Sequence, residues 1–385
     1  MSDPVNQLKI MTVVGTRPEL IKMSRVMNEF ENHSKHILVH SGQNFDYELN
    51  EIFFKDLGIR KPDYFLNAVG DSVAESIGLI ISKADKVFER EKPDALVLYG
   101  DTNTCLAVIA AKRRKIPIFH LEAGNRSFDQ RIPEEINRKI VDHLSDINLP
   151  LTEHARRYLL NEGLRPETVI KIGGTMREVL DYYADDIKSA DILSRLRLRS
   201  GEYFVVSSHR EENVDSPENL SDLLDSLEAL AAQYRMPVIV STHPRTRLRL
   251  DVLLSESKRS MSEHIKYLKP FGFFDYVKLQ QEAACVLSDS GTITEESSLL
   301  GFPAVTIRQS HERPEGMDSG VLIMSGLKSQ RVLQAVAIMM THARGAKNRC
   351  QVDDYEQQEV SKKVLKIVVS YVDYINRNVW RFSDC

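Results

Sequence analysis

Several things this 385-residue chain lacks narrow its class before any motif is read. Cysteine is scarce: Cys105, Cys285, Cys350 and Cys385 are scattered and form no CxxC, so neither a disulfide framework nor a zinc knuckle is indicated. Long apolar runs are missing. Leu8–Gly15 and Lys366–Val372 fall far short of the ~20 residues a membrane span needs, and the opening Met-Ser-Asp-Pro-Val-Asn does not read as a signal peptide. A cytoplasmic protein with no membrane partner is the expectation. Neither charge sign dominates, since 51 Lys plus Arg against 55 Asp plus Glu give −4. No sequence-wide basic field recruits nucleic acid, so an anionic ligand has to be met by a local cluster. Also absent are a GxGxxG after the first strand, a GxxxxGK[ST] and an HExxH, which argues against NAD(P), P-loop nucleotide and zinc chemistry.

What the chain does have is the material for two cores. Hydrophobic residues at 42% and charged residues at 28% suit a soluble globular protein, and the length suits two domains. Short β-branched runs alternate with helical patterns. Leu8–Gly15 leads into a helix from Pro18 to about Phe30, His36–Gly42 precedes Tyr47–Leu57, and Ala95–Gly100 precedes Thr104–Arg114. Ile116–Glu122 leads through a loop to Glu134–Leu144, and Ile147–Thr152 and Thr168–Gly174 complete the first series. A charged helical stretch, Arg177–Arg199, carries no strand pattern. A second series follows it: Tyr203–Ser208, Val238–Thr242, Ile265–Leu268, Cys285–Ser288, Ala304–Ile307 and Val321–Met324. This alternation predicts an α/β protein with two Rossmann-like halves, each built on a covered parallel sheet. The expected division is 1–175, 176–360 and a last helix, 361–385, that packs back on the first half. Val364, Ile367, Val368, Tyr371, Val372 and Ile375 recur there at spacings of three and four.

Ligands of such sheets bind beyond the carboxyl ends of the strands, and those ends are polar here. Arg17, His209, Arg210, Arg245 and Arg313 lie near them, and Ser290-Gly291-Thr292 opens a helical pattern whose free N–H groups suit an anion. The plainer alternative for that segment is a serine-capped helix. Arginine clusters of this kind suit a diphosphate, and two facing halves would pool them in one cleft. Three acids stand out: Asp101 after Tyr99-Gly100, Glu122 at the end of Ile118-Phe-His-Leu121, and Glu134 after Pro133. Glu134 reads equally well as an ordinary helix-opening acid. A carboxylate at the end of a buried strand must be desolvated, paired or catalytic, and neighbouring acids raise one another's pKa toward proton transfer. His209 and His243 read evenly as core or site residues, and no metal-ligand spacing is present.

Taken in order, Gly15-Thr-Arg-Pro-Glu19, Gly42-Gln43, Gly100-Asp-Thr102, His120-Leu-Glu-Ala-Gly124, Pro133-Glu-Glu-Ile-Asn-Arg138, His209-Arg-Glu-Glu-Asn213, Asp289-Ser-Gly291 with Glu295-Glu296, and Glu312-Arg-Pro-Glu315 span nearly the whole chain. This set resembles the UDP-N-acetylglucosamine 2-epimerases. The resemblance implies a glycosyltransferase-B-like pair of Rossmann-like domains facing a central cleft, which close on a hinge near 175–200. It further implies inversion at C2 of a UDP-linked 2-acetamido sugar, by loss and re-addition of UDP, with neither NAD nor metal as cofactor. Matching residue by residue, Asp101, Glu122 and Glu134 look like the acid–base set, and His209 supports the leaving diphosphate or the proton relay. Arg17, Lys22, Gln43, Arg138, His243, Ser290, Gly291 and Arg313 match phosphate- or sugar-holding positions. Glu296 matches the acid on the ribose hydroxyls, and Tyr276 falls where the family has an aromatic near uracil. A homodimer is the family's expected assembly.

Two departures from the family pattern bear on the substrate. The loop Gly124-Asn-Arg-Ser-Phe-Asp-Gln-Arg-Ile-Pro133 is short, with Asn125 in place of the common Leu, and Asn44-Phe45-Asp46 replaces a pattern linked to activation by a second UDP-sugar. That loop, Ser145–His154 and the tail Ser370–Trp380 resemble the branch that makes UDP-N-acetyl-L-fucosamine from UDP-2-acetamido-2,6-dideoxy-L-talose for capsule or O-antigen synthesis. A neighbouring branch acts on UDP-2,3-diacetamido uronates. The rival readings are a UDP-N-acetylglucosamine/mannosamine enzyme, a hydrolysing epimerase, a glycosyltransferase and a non-catalytic UDP-sugar sensor.

Overall fold

The computed structural model describes residues 7–42, 54, 56–208, 210, 213, 215–242, 247, 249–250, 262–310, 313–341 and 350–382. They form two compact units, Met1–Asp181 with Asp354–Cys385, and Tyr182–Asp353.

In the first unit, six strands form one parallel sheet: β1 (Lys9–Val14), β2 (Lys35–His40), β3 (Tyr64–Phe65), β4 (Ala95–Tyr99), β5 (Ile118–Leu121) and β6 (Ile147–Leu149), ordered β3-β2-β1-β4-β5-β6. The second unit repeats that winding with β7 (Phe204–Ser207), β8 (Val238–Ser241), β9 (Ile265–Leu268), β10 (Cys285–Ser288), β11 (Ala304–Thr306) and β12 (Ile323–Met324), ordered β12-β11-β10-β7-β8-β9. Each sheet reverses its strand order between its first and fourth strands. The ligand-binding switch points of such sheets therefore lie at β1/β4 and at β7/β10.

The strands read as continuous apolar runs because both faces are covered. Ile10 and Val14 point into one cluster while Met11 and Val13 point into another, and Phe204 and Val206 are divided from Val205 in the same way. The helix Arg17–His33 starts behind Thr16, whose N–H donates to Glu19, and buries Leu20, Met23, Met27 and Phe30. Each such side chain stabilises the fold by roughly 1.5–3 kcal/mol. On the same face, Val360, Val364, Ile367, Val368, Val372 and Ile375 of the last helix, Val360–Ile375, join Ile10, Val97 and Phe30 in one core. That helix is thus part of the first unit's core.

Three local expectations are corrected. Thr168–Gly174 is not a strand: a short 3-10 turn at Pro166–Thr168 and Gly173 with φ +94° leave only a bridge from Val169 to Asn148. Arg177–Arg199 is broken into Met176–Tyr182, Ala184–Ser189 and Ile192–Leu196, the last ended by Arg197 in the left-handed conformation. Thr104–Arg114 begins as a 3-10 turn, Asn103–Ala107, before the helix Val108–Arg113. The 19-residue helix Val73–Glu91, capped by Ser72, and the two-residue β3 were not foreseen. Most of Tyr47–Leu57 lies outside the described residues.

Candidate active site

At the first switch point the chain leaves β1 at Gly15. A Cβ there would lie 2.1 Å from Thr104 Oγ1 and 2.2 Å from Ser41 Oγ, so only glycine lets the backbone pass this close. The Gly15 and Thr16 N–H groups donate to Glu19 Oε2 at 2.6 and 3.1 Å. Thr102 Oγ1, just past β4, donates to Glu19 Oε1 at 2.5 Å. Glu19 thus ties the end of β1 to the end of β4. Burial pushes its carboxyl up from 4.5 to about 7 against the pull of these three bonds, and the nearby Asp101 adds to the rise.

Asp101 follows Gly100, whose φ of +78° turns the chain sharply at the strand end. Arg138, from the helix Pro133–Leu144, meets Asp101 Oδ2 through Nε at 2.8 Å and Nη2 at 2.7 Å. Its Nη1 reaches Glu135 at 2.9 Å. Asn137 Nδ2 holds the Asp101 carbonyl at 2.9 Å, which fixes the turn itself. Glu134 opens that helix and is half-buried, whereas Glu135 is buried and accepts the Ser127 and Phe128 N–H groups, closing the loop that starts at Gly124.

Glu122, just past β5, is a non-glycine residue with φ +62°. Such a conformation costs about 1–3 kcal/mol and persists only where its surroundings over-determine it. Those surroundings are visible. Glu122 Oε2 accepts from Lys22 Nζ at 2.7 Å and from Tyr99 OH at 2.8 Å. The residues on either side are locked by the buried Asp142: its Oδ1 meets His120 Nδ1 at 2.8 Å, and its Oδ2 accepts from Gly124 N at 3.1 Å and Arg126 Nη1 at 2.7 Å. Burial works against the Asp142 charge, but the His120 and Arg126 contacts hold this carboxyl below its usual range. His120 Nε2 faces the Gly100 carbonyl at 2.7 Å, so one network holds the segments carrying both Asp101 and Glu122.

The second unit's switch point is built from different chemistry. Asp289 Oδ2, just past β10, accepts from Ser208 Oγ at 2.8 Å, Arg210 N at 3.1 Å and Asn213 Nδ2 at 3.0 Å, all just past β7. Next to it, Ser290 Oγ and Thr292 Oγ1 lie 3.0 Å apart at the start of the helix Thr292–Leu300. Ser290, Gly291, Thr306, Arg308 and Arg313 line one cavity there, with both guanidiniums buried and Arg313 3.9 Å from the buried Glu295. Hydroxyls, helix N–H groups and two arginines around one space suit an anion. Further along, Gln280 Nε2 donates to Glu296 Oε2 at 2.6 Å, and burial together with the Glu296 charge raises the Tyr276 phenol, which also bonds Ser207.

A profile of the UDP-N-acetylglucosamine 2-epimerase family matches residues 28–369. The chain belongs to that family. A UDP-N-acetylglucosamine 2-epimerase structure from Rickettsia bellii is 57% identical, with a TM-score of 0.90 over 97% of this chain and 99% of that one. The Methanocaldococcus jannaschii enzyme, solved in complex with UDP-GlcNAc and UDP, is 31% identical with a TM-score of 0.87 over 94% of this chain and 100% of that one. A UDP-2,3-diacetamido-2,3-dideoxy-D-glucuronate 2-epimerase of Pseudomonas aeruginosa is 34% identical over 85% of this chain and 91% of its own length. A UDP-glucosyltransferase from Polygonum tinctorium, 12% identical with a TM-score of 0.62, shares the fold alone, the glycosyltransferase-B-like pairing of two α/β domains.

In this epimerase, an isomerase by class, the expected site residues fall into two groups. Asp101, Glu122, Lys22 and Arg138 are in direct contact as two ion pairs, with Arg17 at the start of the helix carrying Lys22 and Glu134 at the start of the helix carrying Arg138. Ser290, Gly291 and Arg313 share the second unit's cavity, while Glu296 and Tyr276 influence each other nearby. Gln43, His209 and His243 lie outside the described residues. Glu19, Tyr99, His120, Asp289 and Arg308 stand at or near these strand ends as well, and Asp142 reaches them from the helix Pro133–Leu144, all outside the residues the sequence singles out. Glu19, His120 and Asp289 stand inside the family motifs, where the signal is an acid or histidine beside a strand end. Tyr99, Asp142 and Arg308 offered no local signal.

Among the described residues no helix is long and apolar enough to cross a membrane, and no His/Cys/Asp/Glu cluster could hold a metal ion.

Proposed function

We propose that this epimerase inverts C2 of a UDP-linked 2-acetamido sugar by eliminating UDP and adding it back. A carboxylate takes the C2 proton, and the C2–H electron pair becomes a C1=C2 double bond. The C1–O bond breaks with its electrons leaving on the phosphate oxygen of UDP. A proton then reaches the opposite face of C2 while the phosphate oxygen re-attacks C1. One observation carries the reading: two carboxylates, Asp101 and Glu122, stand at the ends of neighbouring strands, each held by a basic partner from a helix, Arg138 at 2.7 Å and Lys22 at 2.7 Å. Paired carboxylates on fixed elements suit proton transfer at two faces of one carbon. The cavity lined by Arg308, Arg313 and Ser290 supports a departing diphosphate.

For the sugar, the finer reading is UDP-2-acetamido-2,6-dideoxy-L-talose going to UDP-N-acetyl-L-fucosamine. Its support is the short loop after Gly124, which Glu135 ties to the start of the helix Pro133–Leu144 and Arg126 ties to Asp142 in that helix's last turn and to Glu162. The relatives named for UDP-GlcNAc and for a diacetamido glucuronate supply the competing substrates. The test is incubation in D₂O with each of the three UDP-sugars, followed by NMR. Deuterium at an inverted C2 with UDP still attached, fastest for the deoxy-talose sugar, is the expected result. Fastest turnover of another sugar would move the substrate, free UDP with free sugar would make the enzyme hydrolytic, and no exchange in any tube would overturn the reading.

A further inference from the structure

The geometry points to Tyr99 as the positioning residue that keeps Glu122 a carboxylate and so makes it the proton acceptor of the pair. This inference rests on the C2-inversion reading above. Tyr99 is the last residue of β4 and is buried, and its ring is part of the core formed with Phe119 and Leu121 of β5. Its hydroxyl therefore has little freedom. It donates to Glu122 Oε2 at 2.8 Å, the same oxygen that takes Lys22 Nζ at 2.7 Å, and that ammonium lies 5.4 Å from the Tyr99 ring centroid. Phenol, ammonium and carboxylate thus form a closed triangle, its third side a cation–π contact.

Two donors on one carboxylate oxygen favour its ionised form, and the Glu122 side chain is only 10% exposed, so water screens them little. Lys22 could supply the charge alone. A four-carbon stem is flexible, however, and the anionic end of an entering substrate would compete for the ammonium. The phenol is neutral, fixed to a strand and indifferent to that competition. It also restrains a side chain whose backbone sits in the unfavourable left-handed region at φ +62°. Asp101 has a different arrangement. Its contacts come from the guanidinium of Arg138, with no phenol among its described partners.

The test is the pH dependence of C2–H exchange in D₂O for the wild type and Tyr99→Phe. Phe preserves the ring, the packing and the cation–π contact and removes only the donor. The acid limb of kcat/KM should move upward by roughly one pH unit, with the KM for the UDP-sugar at high pH changed less than twofold. An unmoved limb in a folded Tyr99→Phe protein would overturn the assignment, whatever its rate. If that variant fails to fold, 3-fluorotyrosine at position 99, a near-isosteric and stronger donor, should move the limb downward, and an unmoved limb there overturns it equally. A titration that needs no turnover separates this inference from the functional reading. With ¹³C-labelled glutamate, the infrared carboxylate band lost in Glu122→Gln should titrate at higher pH in Tyr99→Phe than in wild type. Wild type that exchanges no C2–H would sink the functional reading, and the band would still decide whether Tyr99 controls the Glu122 proton.

Discussion

The two units solve the same topological problem with the same device and then diverge. In each, a buried carboxylate bridges the two strand ends at the switch point. Glu19 after β1 reaches Thr102 after β4, and Asp289 after β10 reaches back to Ser208, Arg210 and Asn213 after β7. Around the first bridge stand acids with basic partners: Asp101 with Arg138, Glu122 with Lys22, Asp142 with Arg126 and His120. Beside the second stand hydroxyls, helix N–H groups and buried arginines. Winding alone therefore dictates where a ligand can be met. On the proposed reaction, the polar residues after each strand decide whether that place moves protons or holds an anion.

The sharpest way to break this division is to remove chemistry from one side and read the other. Asp101→Asn and Glu122→Gln should each slow C2–H exchange by about 10²–10⁴-fold. UDP affinity, measured by calorimetry, should stay close to wild type. A parallel loss of UDP binding would mean that the two functions are not divided between the units. Next in size is Asp142→Asn, which leaves the buried His120 and Arg126 without their shared counter-charge. About 3–5 kcal/mol of stability should be lost by urea unfolding, and a loss below about 1 kcal/mol would show that Glu162, the other acid on Arg126, suffices. On the opposite side, Arg313→Ala should weaken UDP binding by about 10–100-fold, the scale of a lost charge-assisted bond.

The fold was legible because it rests on repetition. Twelve apolar runs with helical patterns between them required no knowledge of distant contacts, and the misread pieces were those where local signals conflict. Thr168–Gly174 has strand residues but two terminal glycines, and β3 is too short to show a period. In the site, Asp101 and Glu122 were visible because an acid at the end of an apolar strand is costly unless used. Their control was not. Asp142 lies 20 residues beyond Glu122 inside a helix, and Tyr99 reads simply as the last apolar residue of a strand. Mutual repulsion between neighbouring acids was the expected source of raised pKa values. Among the described carboxyls the structure raises Glu19 and Asp146, both chiefly by burial, and repulsion from Asp101 is only the smallest contribution at Glu19.

That contrast leads to the smallest effect, one that only pH can reveal. Glu19 has a folded pKa of about 7 against an ordinary 4.5, so between these values the folded chain holds a proton that the unfolded chain has released. The stability this contributes is fully present below pH 4.5 and is lost as pH rises through about 7. Asp142, Glu135 and Glu162 have the opposite sign: their pKa values are lowered, so their contribution is present at neutral pH and lost on the acid side. The two kinds of acid therefore act in different windows. Glu19→Gln keeps a neutral hydrogen-bonding side chain and cannot titrate. Unfolding free energies of wild type and variant should diverge between pH 5 and 7 with a slope of about 1 kcal/mol per pH unit, wild type falling relative to the variant. Their profiles should run parallel below pH 4.5, where Glu19 is protonated in both states and only the ion-paired acids still respond. Parallel profiles through the neutral window as well would mean that Glu19 is ionised in the folded chain, and the bridge at β1/β4 would then be held by a charged acceptor.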